Sequence, residues 1–216
     1  MAEPCELSSK DKILDAAETA FADSGFEGAS LRNIVQGADV NLATVYYYFG
    51  CKEGLIAAVF KRLFDPVKTE QLARLTRLLA EAPGQPVTVE AILEAILTPA
   101  MCFTETKSLR NEIATRLIGR ILTDPNPKTQ EHLRCMHCDV RDVYRAALQQ
   151  ALPEVPIETL QWRLEFLWGA LAFVLCNPSR FNQQTEGKCG SIEANILPQM
   201  ISCFSAGLRA PGVNIR

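Results

Sequence analysis

Three consecutive tyrosines, Tyr46, Tyr47 and Tyr48, followed by Lys52, are the residues of this chain whose types and spacing point most directly to chemistry. A phenol can donate one hydrogen bond and an ammonium group three, and phosphate oxygens accept from both. Burying two of three adjacent tyrosines in a small helical unit would leave their hydroxyls short of partners. Outward presentation to phosphate is the more economical reading. Packing of the three rings inside a small domain is the alternative at this point.

The elements that position these side chains are two short helices joined by a tight turn. Ser30 and Asn41 each precede a helical run, and their side-chain oxygens can accept the free N–H groups of a first turn. Leu31, Ile34 and Val35 recur at helical spacing as one inward stripe. Val40, Val45 and Phe49 supply the inward side of the turn and the second helix. Leu42, Ala43, Thr44, Tyr46, Tyr47 and Tyr48 are left facing outward. A helix of about seven residues does not hold itself together in water, because nucleation is costly. It must be clamped by neighbours while its other face is offered to a partner. That is the helix-turn-helix arrangement, whose second helix enters the DNA major groove.

Around this motif, residues 10–24 read as a helix with Ile13, Leu14, Ala17, Ala20 and Phe21 on its apolar face, stopped at Gly25. Another helix starts near Lys52 with Leu55, Ile56, Val59 and Phe60. The runs Phe21-Ala22-Asp23-Ser24-Gly25-Phe26, Ser30-Leu31-Arg32-Asn33-Ile34, Thr44-Val45-Tyr46-Tyr47-Tyr48-Phe49 and Lys52-Glu53-Gly54-Leu55 resemble the DNA-binding domain of the tetracycline-repressor (TetR) family, in one ungapped register over residues 10–62. The resemblance implies an all-α dimeric transcriptional regulator. Its helix-turn-helix domain would span residues 1–62, and its helical effector-binding and dimerisation domain residues 63–216. It places Leu42, Ala43 and Tyr47 at bases, and Ser30, Arg32, Thr44, Tyr46, Tyr48 and Lys52 at phosphates. Asp39 stands where the turn commonly has glycine, though Asp tolerates the left-handed region. Leu42 replaces a frequent small polar or basic residue, and Cys51 replaces a serine cap. Short blocks along the chain resemble family members that respond to long-chain fatty acids or their thioesters: Val40-Asn41-Leu42-Ala43, Phe49-Gly50, Ala151-Leu152-Pro153, Trp162-Arg163-Leu164-Glu165-Phe166 followed by Gly169-Ala170, and Ala206-Gly207-Leu208-Arg209.

Composition bounds these readings. The 216 residues are 48% hydrophobic and 22% charged, as in an ordinary soluble globular protein. No apolar run reaches transmembrane length, and Met1 to Lys10 lacks the apolar core of a signal peptide, so a cytoplasmic location is expected. The eight cysteines are scattered, and a reducing compartment disfavours structural disulfides. Residues 1–64 carry a net charge of −3, which runs against the basic footprint usual in DNA binders. Screening over about 8–10 Å leaves only charges near the DNA face to count, where Lys10, Lys12, Arg32 and Lys52 fall.

His132, Cys135, His137 and Cys138 lie close together on one helical run, and three of them share a face. A single such cluster without a second ligand pair is a weak metal signal, so neither a metal nor another cofactor is expected. The chain lacks a phosphate-binding glycine loop, a nucleophile elbow and a paired-histidine motif, which disfavours an enzyme. A bare scaffold would not need two capped short helices with a presented tyrosine face.

Breakers divide the rest into helices over 65–80, 88–106, 108–122, 128–152, 158–176 and 191–208. Pro66 is expected to open a new helix, and Pro99 to kink one. The run 158–176 is apolar nearly all round, so a partner subunit is expected to cover it, with Phe166, Trp168, Leu171 and Phe204 in the interface of a four-helix bundle. A mostly apolar small-molecule effector, of the fatty-acid or acyl-thioester kind, is expected among Ile92, Leu93, Ile96, Met101, Phe103, Ile113, Leu117, Ile121 and Leu133, with Arg110, Arg116 or Arg120 meeting its acid group.

Overall fold

The computed structural model describes residues 8–102, 109–177, 180–181 and 192–211, with the side chains of 102, 109–112, 137 and 192–194 outside the description. The fold is all-α. The named helices are α1 (Ser9–Gly28), α2 (Leu31–Gly37), α3 (Leu42–Phe49), α4 (Lys52–Glu81), α5 (Val89–Cys102), α6 (Leu109–Thr123), α7 (Pro127–Ala151), α8 (Ile157–Cys176) and α9 (Ile192–Arg209). No helix among the described residues is long and apolar enough to cross a membrane.

Local chemistry accounts for several helix starts. The Ser8 and Asn126 side chains accept from Asp11 N and Lys128 N, and Thr88 Oγ1 accepts from Ala91 N. Gly25, with φ 73°, lets the chain turn out of the main run of α1 before a last helical turn at Phe26–Gly28.

Two hydrophobic cores result. The first joins Ile13, Phe21, Ile34, Val45, Leu55 and Phe60 of α1–α4, and it extends to Ala114, Leu117, Ile118 and Ile121 of α6 and Leu133 of α7. The second is built on Leu93, Ile96, Leu97 and Met101 of α5, Tyr144 and Leu148 of α7, and Leu160, Leu164 and Leu167 of α8, closed by Leu197, Met200 and Leu208 of α9.

One boundary differs from the sequence reading. Pro66 does not start a helix; α4 runs unbroken from Lys52 to Glu81 with Pro66 inside it. The ring removes one backbone bond, at a cost of about 3 kcal/mol. The helix continues because it is packed on both sides of the proline. Leu63 and Phe64 sit in the first core, while Gln71 and Leu75 are buried beyond it. The Gln71 amide also donates to Ile96 O (2.8 Å), and Tyr144 Oη donates to Gln71 O (2.8 Å). Pro99 lies in the last turn of α5.

An ion-paired clamp ties α4 to α1. Arg62 Nε donates to Glu18 Oε1 at 2.6 Å and Arg62 Nη2 to Asp15 Oδ1 at 2.5 Å. Burial pulls the Arg62 guanidinium down, but the two carboxylates outweigh it and hold it above its ordinary range. Glu18 is almost wholly buried, so removing its partner strands a charge. Arg62→Ala is expected to destabilise the fold by about 3 kcal/mol, measured by denaturant unfolding. Replacing the whole triad by apolar residues of similar volume is expected to cost far less.

Candidate nucleic-acid interface and internal cavity

The two caps anticipated for the short helices are present. Ser30 Oγ accepts from Asn33 N (3.2 Å) at the start of α2, and Asn41 Oδ1 accepts from Thr44 N (2.9 Å) at the start of α3. Asp39 takes the left-handed conformation of the turn, with φ 52°. Within α3, Val45 is fully buried while Tyr47 is 82% exposed. Leu42, Ala43, Tyr46 and Tyr48 are also exposed, and the Tyr47 and Tyr48 rings meet edge-on at 5.0 Å between centroids. An eight-residue helix thus turns four large side chains to solvent from a firmly seated backbone.

The hydrogen-bonding state of this face limits what each group can do. The Ser30 hydroxyl accepts in its cap and still has its proton to give. Thr44 Oγ1 already donates to Asn41 Oδ1 (2.9 Å), so its proton is committed to the cap. Lys52 Nζ donates to Glu27 O (3.3 Å) at the end of α1 and has two further donors. Arg32 is exposed.

The junction between α3 and α4 is held by a glycine whose role the sequence reading missed. A Cβ on Gly54 would lie 2.0 Å from the backbone oxygen of Phe49, so only glycine permits this approach. Cys51 precedes α4 without a side-chain cap bond, as its thiol suggests.

A second feature lies deeper. An open cavity of about 640 Å³ is walled by α4 (Leu63, Phe64, Val67, Gln71), α5 (Ala100), α6 (Ile118, Leu122), α7 (Gln130, Leu133, Arg134, Arg141) and α8 (Trp162, Glu165, Trp168, Leu171, Ala172, Leu175). Its size falls within the range of small-molecule sites.

The residues expected to bind the effector are distributed differently. Of those expected to line it, Leu133 does. Ile96 and Met101 are buried in the second core, while Leu117 and Ile121 are buried in the first, with Ile113 packed against it. Arg116 and Arg120 are turned to α1. Arg116 pairs with Asp23 (3.1 Å), and Arg120 donates to Asp23 O (3.0 Å), one of the last carbonyls of α1. Phe103 and the Arg110 side chain lie outside the described residues. The cavity's arginines are instead Arg134 and Arg141, seven residues apart and so on one face of α7; that spacing was the signal available in the sequence.

Of the residues expected at the dimer face, Phe166 is exposed, whereas the others are turned wholly or partly inward. Leu171 is buried inside the protomer and Trp168 is half-buried, and both line the cavity, while Phe204 packs on the second core. The outward stripe of α8 is Trp162, Phe166 (64% exposed), Gly169 and Phe173, at spacings of four, three and four.

His132 packs edge-on against Phe60, Cys135 Sγ donates to Glu131 Oε1 (3.4 Å), and Cys138 Sγ donates to Cys135 O (3.1 Å). These thiols are engaged with their own helix.

Comparison with known proteins places the chain. Residues 13–59 match the model for bacterial regulatory proteins of the tetR family, and residues 94–207 the model for the tetracyclin repressor-like C-terminal domain. The transcriptional regulator YttP of Bacillus subtilis (strain 168) is 40% identical over 60 residues, 28% of this chain and 29% of that protein. IcaR of Staphylococcus aureus (strain Newman), a negative regulator of the biofilm operon icaADBC, is 36% identical over 56 residues, 26% of this chain and 30% of that protein. These matches therefore span less than a third of the curated relatives. Two solved structures share the fold over nearly the whole chain. The fatty acid degradation regulator FadR of Bacillus halodurans has a TM-score of 0.64 at 15% identity, covering 96% of this chain and 100% of that one. A tetR-family regulator from Shewanella sp. PV-4 has a TM-score of 0.62 at 19% identity, covering 93% and 98%.

Gly54→Ala is expected to push the start of α4 away from Phe49 and tilt α3. The expected loss is about 1–3 kcal/mol of stability, read by denaturant unfolding. Unchanged stability would mean that the close approach is not needed.

Proposed function

We propose, for a chain that belongs to the TetR family of bacterial regulatory proteins, that it is a homodimeric repressor whose α3 reads operator DNA in the major groove and whose cavity receives a mostly apolar effector that releases it. The observation that carries this reading is the outward face of α3, a short, capped helix with Tyr46, Tyr47 and Tyr48 in solvent and Val45 anchored beneath. Leu42, Ala43 and Tyr47 would touch base edges. Ser30, Arg32, Tyr46, Tyr48 and Lys52 would meet phosphates, with Thr44 joining them only if its hydroxyl leaves the Asn41 cap. Residues 1–62 would form the DNA-binding domain and 63–216 the effector and dimer domain, bridged by α4.

A two-fold pair of such domains reads half-sites about one helical turn apart, roughly 34–36 Å. The outward α8 stripe supplies the surface on which the partner would pack, against its own copy and α9. Filling the cavity would favour a dimer geometry with the wrong half-site separation, a coupling of about 1–3 kcal/mol. The short blocks similar to fatty-acid-responsive regulators suggest a fatty acid or acyl-thioester as effector, and FadR of Bacillus halodurans is a fold neighbour named for fatty acid degradation.

DNA selected from a randomised pool provides the assay. In a salt series, Lys52→Ala is expected to weaken binding to all selected sequences about equally and to lower the salt slope by about one. Tyr46→Phe is expected to weaken binding with unchanged folding. Unaltered affinity in both variants would contradict this docking. Phe166→Glu is expected to dissociate the dimer in sedimentation at micromolar concentration, and a monomeric unmodified protein would refute the α8 interface.

A further inference from the structure

We infer that the cavity's ligand is an amphipathic anion, whose acid group is received by Arg141 with Arg134 beside it and whose apolar body lies between Trp168, Leu171 and Phe64. This inference rests on the reading of the cavity as the effector site, and adds the ligand's charge and orientation.

Among the described residues the lining carries three charged side chains, Arg134, Arg141 and Glu165, a balance of +1 on otherwise mostly apolar walls. Both arginines project from one face of α7, two turns apart. Arg141 is the more enclosed, and its direct carboxylate partner is Glu165 of α8, which is itself half exposed. Arg134 pairs with Glu131 of its own helix, outside the lining. Burial first, and the nearby Arg134 charge second, hold the Arg141 guanidinium below its ordinary range. The mouth is therefore short of negative charge, and its one lining carboxylate is held only by a partly exposed pair. Such pairs contribute little to stability and are readily exchanged.

A ligand carboxylate, sulfonate or phosphate can take the guanidinium fork bidentately in a less solvated position than Glu165 occupies. It would displace Glu165 and cut the tie between α7 and α8. A ligand cation would meet two guanidinium groups against a single carboxylate that Arg141 already engages. A neutral ligand would gain the apolar contacts alone and leave the Arg141–Glu165 pair in place.

The chain provides its own reporter. It has two tryptophans, and both line this cavity. Intrinsic fluorescence of the full-length protein therefore follows occupancy without a label.

The probes are dodecanoate, dodecanol and dodecylammonium below their aggregation concentrations. Dodecanoate is expected to bind roughly tenfold or more tightly than dodecanol, the scale of one charge-assisted hydrogen-bonded contact, and dodecylammonium most weakly. Glu165→Gln is expected to tighten dodecanoate and leave dodecanol unchanged. Arg141→Gln is expected to remove the preference for the acid while dodecanol still binds. Equal or tighter binding of the alcohol or the ammonium, no response to any of the three, or an acid preference that survives loss of both arginines would overturn the inference. The three-probe series on the unmodified protein and on Glu165→Gln decides the matter even if Arg141→Gln fails to fold. Binding of selected DNA by the ligand-free protein is measured separately. Its failure would sink the regulator reading and leave the ligand preference standing.

Discussion

The structure depends on one unbroken helix. α4 spans Lys52–Glu81, about 45 Å at 1.5 Å per residue, and three separate jobs are strung along it. Its first turn presses Gly54 against Phe49 O and so fixes the tilt of α3. Its third turn carries Arg62 into the clamp with Glu18 and Asp15 of α1. Its middle turns offer Phe64, Val67 and Gln71 to the cavity wall. A break at Pro66 would have separated the first two jobs from the third. Packing on both sides of the proline keeps them on one rod, so the cavity wall and the support of the tyrosine face share a single helix.

α6 provides a second route of the same kind. Ile118 and Leu122 line the cavity, while Leu117 and Ile121 sit in the first core, and Arg116 and Arg120 hold the end of α1 at Asp23. A Cβ on Gly25 would approach Arg120 Nη1 to 3.3 Å, so this joint is close-fitting as well as charged. Two of the helices that shape the cavity are thus the helices that grip the helix-turn-helix unit. Interiors packed in this way shift between discrete arrangements and do not deform smoothly.

What was legible in the sequence was what local chemistry decides. Ser30 and Asn41 could be read as caps because capping needs only a side-chain oxygen and the next turn's amides, and Val45 against Tyr46–Tyr48 followed from helical phase. What long-range packing decides was not legible. Pro66 carries the same local signal whether or not flanking cores hold the helix together. The apolar α8 has hydrophobic residues on most sides, so the sequence could not distinguish Trp168 and Leu171, which face the cavity, from Phe166 and Phe173, which face out, or from Trp162, which both lines the cavity and stays exposed. Arg116 and Arg120 looked as available for a ligand as Arg134 and Arg141. Their difference is the partner each one reaches, Asp23 on α1 or Glu165 on α8, and nothing within α6 or α7 announces it. Gly54 was visible within a motif, but its necessity comes from a carbonyl on the preceding helix.

The central claim, that two copies of α3 read adjacent major grooves from positions set by α4, is tested most directly by hydroxyl-radical footprinting of the protein on DNA selected from a randomised pool. The expected result is two protected patches on one face of the duplex, related by two-fold symmetry and centred about one helical turn or a multiple of it apart, both lost together in Tyr47→Ala. A single unpaired patch, or a two-patch footprint unchanged by Tyr47→Ala, would contradict it.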